Sequence, residues 1–235
     1  MGAPLAEAIA RIEGRFGVHA VARGPATERH RDDLVIATGT SLDRVISGGL
    51  AAGEPLAFVG PPSVGKLTLA LRAVTAAQSQ GGMVAWIDPT ASFDPLAAER
   101  NGVDLERLIV VRARGTHVAV ATAAALRSEG FRLVTVDAGE PSLGGISIDD
   151  LAPALATVRG SPAALLVVCG ARGSRVILPT YVFERVAWER QFERTVAWSF
   201  AVGRAHTSDR ALFSLRADGT FVDLGTRADL AAVAV

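Results

Sequence analysis

The sequence predicts an α/β fold built on a mainly parallel sheet, and three observations predict it. From residue 34 onward, short apolar runs alternate with stretches of helical periodicity, the pattern of parallel strands covered by helices on both faces. One of those runs passes through a glycine-rich loop directly into a helix. The tail then changes to extended segments punctuated by Asp218-Gly219, a strong hairpin turn.

In chain order, residues 4–16 read as an amphipathic helix, because Leu5, Ile9, Ile12 and Phe16 recur at helical spacing and Gly17 ends the run. Glu7 and Arg11 form a favourably oriented i,i+4 pair on another face. Residues 18–33 carry Gly24, Pro25 and the charged run Glu28-Arg29-His30-Arg31-Asp32-Asp33, the composition of a linker, so 1–33 is expected to be an arm separate from 34–235. Strands are expected at 56–59, 83–87, 108–111, 133–136 and 164–168, with helices at 67–77, 96–100, 118–128 and 149–158 between them. Residues 181–195 are expected to be helical, and 196–204, 211–216 and 220–224 extended. In that late helix Tyr181, Trp188 and Phe192 would form an aromatic stripe, packed in the core or offered to a partner groove.

Composition narrows the function classes. In 235 residues, Lys plus Arg and Asp plus Glu are both 24, so a generally polybasic nucleic-acid binder is excluded, though a local basic groove is not. The single cysteine, Cys169, excludes an intramolecular disulfide and a zinc site built on cysteines; after an apolar strand it reads as a small buried hydrophobe. No uninterrupted apolar stretch is long enough for a membrane span, and the charged residues among Met1 to Arg15 do not suit a signal peptide, so a cytoplasmic protein is expected. His19, His30, His117 and His206 show no ligand spacing, and no metal site is expected. Lys66 is the one lysine, the other 23 basic residues being arginines.

That lysine lies in Gly60-Pro61-Pro62-Ser63-Val64-Gly65-Lys66-Leu67-Thr68, a G-x-x-x-x-G-K phosphate loop between strand and helix. Glycines let the backbone curl so that its N–H groups point at phosphate oxygens, the helix N-terminus adds a positive dipole, and lysine adds a point charge. Expected nucleotide-binding residues are therefore Gly60, Pro61, Ser63, Val64, Gly65, Lys66, Leu67 and Thr68. The position after the lysine ordinarily carries a hydroxyl that binds Mg²⁺; leucine cannot ligate a hard cation, and Thr68 is turned about 100° around the helix. Weak ATP binding with little use for Mg²⁺ follows. Leu133-Val134-Thr135-Val136-Asp137 is an apolar strand ending in a carboxylate, which makes Asp137 either a second nucleotide-site residue or the cap of the next turn.

These motifs, in this order, resemble the bacterial RecA recombinase family. The resemblance runs through Leu5 to Gly17, Thr38-Gly39-Thr40-Ser41-Leu42-Asp43, Gly48-Gly49-Leu50, the loop Gly60 to Thr68, Trp86-Ile87-Asp88, Phe93-Asp94-Pro95 and Gly102-Val103-Asp104-Leu105. It implies a RecA-like P-loop core with an N-terminal helical arm and a C-terminal β-hairpin. It also implies that Asp94 is an adenine-side contact and that the arm packs on a neighbouring subunit through Leu5, Ile9, Ile12 and Phe16. The alternative for the arm is docking on its own core.

The departures from that family are as informative. Thr90 stands where a water-activating glutamate is expected, Ala97 where a tyrosine stacks on adenine, and Cys169 or Gly170 where a polar residue senses the terminal phosphate. Of the two DNA-binding loops, residues 138–147 and 171–180 are short stand-ins, the second keeping Arg172 and Arg175 for weak contact with single-stranded DNA or as solvated charges. The regulatory C-terminal domain is expected to be absent. This profile is similar to ImuA, a group of shortened RecA-like accessories of a bacterial mutagenesis cassette.

The resemblance therefore implies an accessory protein of the DNA damage response and translesion (SOS) mutagenesis, with no catalytic residues of its own. It would act by binding RecA, the polymerase-like proteins of the cassette and other copies of itself. The competing expectations are an ATP-dependent DNA-binding recombinase using Lys66 and Asp137, and a scaffold that binds nucleotide without hydrolysing it.

Overall fold

A computed structural model describes residues 35–140, 144–170, 175–205, 207–227 and 229. The chain divides into two units, 1–33 and 34–235. The first lies outside the described residues, so the expected arm helix and its residues Leu5, Ile9, Ile12 and Phe16 do as well.

In the second unit, β1 (Val35–Ile36) pairs antiparallel with β2 (Leu50–Ala51), and the short α1 (Leu42–Val45) lies between them in sequence. The main elements follow as β3 (Pro55–Val59), α2 (Lys66–Ser79), β4 (Met83–Ile87), α3 (Pro95–Arg100), β5 (Leu108–Val111), α4 (His117–Arg127) and β6 (Phe131–Gly139). A broken helical segment with α5 (Ala152–Leu155) leads to β7 (Ala164–Cys169), and β8 (Thr180–Gln191), β9 (Arg194–Arg204), β10 (Ala211–Arg216) and β11 (Phe221–Thr226) complete the order. Nine strands form one sheet in the order β11-β10-β9-β8-β3-β7-β6-β4-β5. From β8 to β5 the pairings are parallel, and from β8 to β11 antiparallel.

The alternation of side chains along each central strand builds two cores, one on each face. Leu56 and Phe58 of β3, Val84 and Trp86 of β4, and Leu166 and Val168 of β7 pack with Leu69, Ala73, Val74 and Ala77 of α2. Ala57, Ala85, Ile87, Leu165 and Val167 point the other way, onto Val118, Ala125 and Leu126 of α4 and onto Leu151. Strands covered on both faces read as unbroken apolar runs, which is why the parallel part of the sheet was visible in the sequence. Buried Gln78 is satisfied by the backbone of Asp104, its amide donating to the carbonyl at 2.8 Å and its oxygen accepting from the N–H at 2.9 Å, so α2 holds the connection into β5.

Two expectations are corrected. Residues 181–195 are not helical: they form β8, the turn at Phe192, and the start of β9. Tyr181 is buried, but Trp188 is half exposed and Phe192 is 96 % exposed at the turn, so these three residues are not the stripe of a helix. The pairing of β8 with β9 shifts between Arg185 and Ala187 and again near Arg190. Each shift changes the phase of the two-residue alternation, and the resulting spacing imitates a helix. The second correction concerns 149–158, expected as one helix: it is a chain of short turns, 3-10 at Ile148–Leu151 and again at Val158–Gly160, with α5 and its Pro153 between. The expected C-terminal hairpin is β10–β11, closed by Gly219 at φ 89° with Arg216 N–H donating to the Thr220 carbonyl at 2.9 Å.

Candidate nucleotide site

The phosphate loop emerges from β3 in the middle of the sheet and ends at α2. Gly65 takes φ 103° at the helix start, and a Cβ there would stand 2.5 Å from the Phe200 ring, so only glycine fits between loop and β9. Arg185 of β8 donates from one guanidinium nitrogen to the carbonyls of Pro62 at 3.3 Å and Ser63 at 3.1 Å, and its guanidinium carbon stands 4.2 Å from the centre of the Trp188 ring. The loop is thereby clamped from the antiparallel side of the sheet, with Ser63 itself in the left-handed region at φ 55°.

A cavity of 710 Å³ opens on this loop. Ser63, Val64, Gly65, Lys66, Leu67 and Thr68, all expected from the sequence to bind nucleotide, form its floor. Gly60 and Pro61 do not line it but accept from the Lys66 ammonium, at 2.5 and 2.7 Å. Burial lowers the Lys66 pKa from its usual value, against the pull of Glu140, then Cys169, then Asp137.

One end of the cavity is polar. Asp137, at the end of β6, accepts from the Ser92 hydroxyl at 3.2 Å, and Thr90 donates to Ser92 at 2.9 Å. Burial raises the Asp137 pKa; the Ser92 hydrogen bond opposes that and neighbouring Asp88 reinforces it. Asp88 is fully buried at the end of β4 and accepts from the backbone of Ser92 and Phe93, each at 3.0 Å, which folds residues 88–93 back toward the loop. Burial pushes the Cys169 thiol up to about 11. Glu140 lies beside it, its carboxylate against Gly170. The other end is apolar, made by Trp198 of β9 and Leu215 of β10. Ser92, Glu140, Trp198 and Leu215 carry no motif of their own, and Trp198 and Leu215 lie on strands remote in the chain from the loop, so sequence reasoning missed them.

Asp94 is placed differently. Its carboxylate accepts from the backbone of Leu96 at 2.9 Å and Ala97 at 3.1 Å, capping α3, and it does not line the cavity. Arg172 lies outside the described residues. Arg175 is exposed, and its backbone N–H donates to Asp149 at 2.9 Å.

Chemically, the floor offers backbone donors, a helix N-terminus and one ammonium group, which suit phosphate. It does not suit a phosphate-bound Mg²⁺ in the usual way, because Leu67, 43 % exposed, presents only hydrocarbon where the hydroxyl is needed. Among the described residues, no cluster of three or more His, Cys, Asp or Glu could hold a metal ion. No helix among them is long and apolar enough to cross a membrane.

Comparison with known proteins agrees with this architecture. The chain is 41 % identical over 107 residues to Protein RecA of Synechocystis sp., covering 45 % of this chain and 30 % of that one. It is 39 % identical over 137 residues to Protein RecA of Clostridioides difficile, and 38 % over 136 residues to that of Methylococcus capsulatus, in each case 57 % of this chain and 39 % of the relative. The chain thus spans between about a third and two fifths of the length of these relatives. The family model described as the RecA N-terminal domain matches residues 3–142, and the chain belongs to that family.

Proposed function

We propose that this chain is a RecA-like accessory of the DNA damage response and of translesion (SOS) mutagenesis, working in the cytoplasm. In this reading it acts through contacts with RecA, with polymerase-like cassette proteins and with copies of itself, while its nucleotide site holds ATP weakly without turning it over. The observation that carries the reading is the pairing of an intact phosphate floor with a disarmed polar end. Lys66 and Asp137 line one cavity, yet Leu67 offers no metal ligand and Thr90 puts a hydroxyl where a water-activating carboxylate is needed. Losing both would remove several kcal/mol of barrier lowering, on the order of 10³-fold or more in rate.

The test is ATP turnover by the full chain with and without single-stranded DNA, alongside capture of purified RecA. The expected result is background turnover, unchanged by DNA, together with RecA binding. DNA-stimulated turnover that disappears in Lys66→Ala would replace this reading with the recombinase one.

A further inference from the structure

The polar end of the cavity holds a carboxylate that the family resemblance did not anticipate. Gly170 follows directly after β7, and a methyl group there would overlap both carboxylate oxygens of Glu140. The Glu140 side chain therefore fills the space that a side chain just past β7 would otherwise occupy. Its backbone is held there: the Glu140 carbonyl accepts from Gly145 N–H at 3.0 Å, and Ile146 N–H donates to the neighbouring Ala138 carbonyl at 2.8 Å.

We propose that Glu140 makes this site selective for nucleoside diphosphates over triphosphates. The inference rests on the nucleotide-binding reading of the same loop. In a phosphate loop the backbone amides cradle the inner phosphates, and the lysine reaches the outer ones. Here the region beyond Lys66 is bounded by Glu140 and Asp137, and among the described lining residues Lys66 is the only cation. Glu140 is also the carboxylate that acts most strongly on Lys66, ahead of Asp137. A third phosphate would bring negative charge toward two carboxylates, with no hydroxyl at Leu67 to recruit a neutralising Mg²⁺. A diphosphate keeps the amide cradle and the lysine and stays clear of them. Like charges a few ångströms apart in a partly desolvated cleft repel strongly enough to decide such a preference.

The experiment is titration calorimetry of the full chain with ADP and with ATP, first in EDTA and then with Mg²⁺. The native chain is expected to bind ADP about tenfold more tightly than ATP, about 1.4 kcal/mol, in both conditions. Glu140→Gln keeps the shape and removes the charge; it should raise ATP affinity about tenfold and leave ADP within about twofold. Glu140→Asp, which draws the charge back, should fall between. Lys66→Ala should weaken both nucleotides and so place the binding at this loop. ATP bound as tightly as ADP by the native chain, an equal change for both nucleotides in Glu140→Gln, or no binding of either would overturn the proposal. So would ATP turnover that Glu140→Gln abolishes, since Glu140 would then be serving as a base. Turnover in the native chain that survives Glu140→Gln would end the accessory reading and leave the selectivity to be judged on the affinity ratio alone.

Discussion

At Asp137, burial and hydrogen bonding pull in opposite directions, and burial prevails. Its carboxyl holds a proton more tightly in the folded chain than at the ordinary value of 3.8. Stabilisation from the protonated form is therefore fully present below 3.8 and is lost as pH rises through the higher folded value. An asparagine at this position would stay neutral throughout and can still accept the Ser92 hydrogen bond. Asp137→Asn should melt at a higher temperature than the native chain at neutral pH, and the difference should close as pH falls toward 3.8, as followed by thermal melts across a pH series. A constant difference at all pH values would mean that packing, not ionisation, sets it. Lys66, Leu67 and Asp137 were legible in the sequence because each occupies a fixed offset from a strand end or a glycine; Thr90 stood out only through the resemblance. Glu140 was not legible, because its position depends on the missing side chain of a glycine thirty residues later, just past the end of the neighbouring strand.

The β8–β9 ribbon shows the same limit for a whole element. Glu-Arg pairs and spaced aromatics imitate a helix there, while the information that makes it a ribbon lies in its pairing: Trp188 opposite Trp198, Arg185 opposite Phe200. The parallel strands were legible because both their faces are buried; this ribbon has one face on the loop and a projecting end in solvent, so its pattern is mixed. It touches the phosphate loop through Arg185 and Phe200. Arg185→Ala frees the Pro62 and Ser63 carbonyls on an exposed surface. It should cost affinity for ADP several-fold while shifting the melting temperature little, since one charge-assisted hydrogen-bonding group is worth about 1.5–3 kcal/mol before solvent competes for it. Trp198→Ala tests the apolar end. A base lying on that ring should lose about tenfold in affinity, whereas inorganic phosphate, which has no base, should bind as before. Equal losses for nucleotide and phosphate would point to collapse of the loop instead.

For the whole molecule, the proposed partner role of residues 1–33 can be separated from the stability of the core. With 24 basic and 24 acidic residues the formal net charge is zero, so no net attraction draws the chain to nucleic acid. An arm that serves a partner is dispensable to the core. Removing residues 1–33 should leave the melting temperature of 34–235 within a few degrees, and Phe16→Ala should weaken capture of RecA or self-association, each large apolar side chain contributing on the order of 1.5–3 kcal/mol if buried there. A marked fall in melting temperature, with RecA still captured in the cold, would place the arm on its own core. The same composition has a chemical corollary at the phosphate loop. Because Lys66 is the one lysine in 235 residues, the loop carries the only side-chain amine on which acylation, reductive alkylation or an isopeptide bond could form. Its ammonium is folded onto the Gly60 and Pro61 carbonyls, and its proton is loosened by burial. Any lysine-directed modification of a side chain in this sequence, enzymatic or synthetic, is therefore a modification of the G-x-x-x-x-G-K loop.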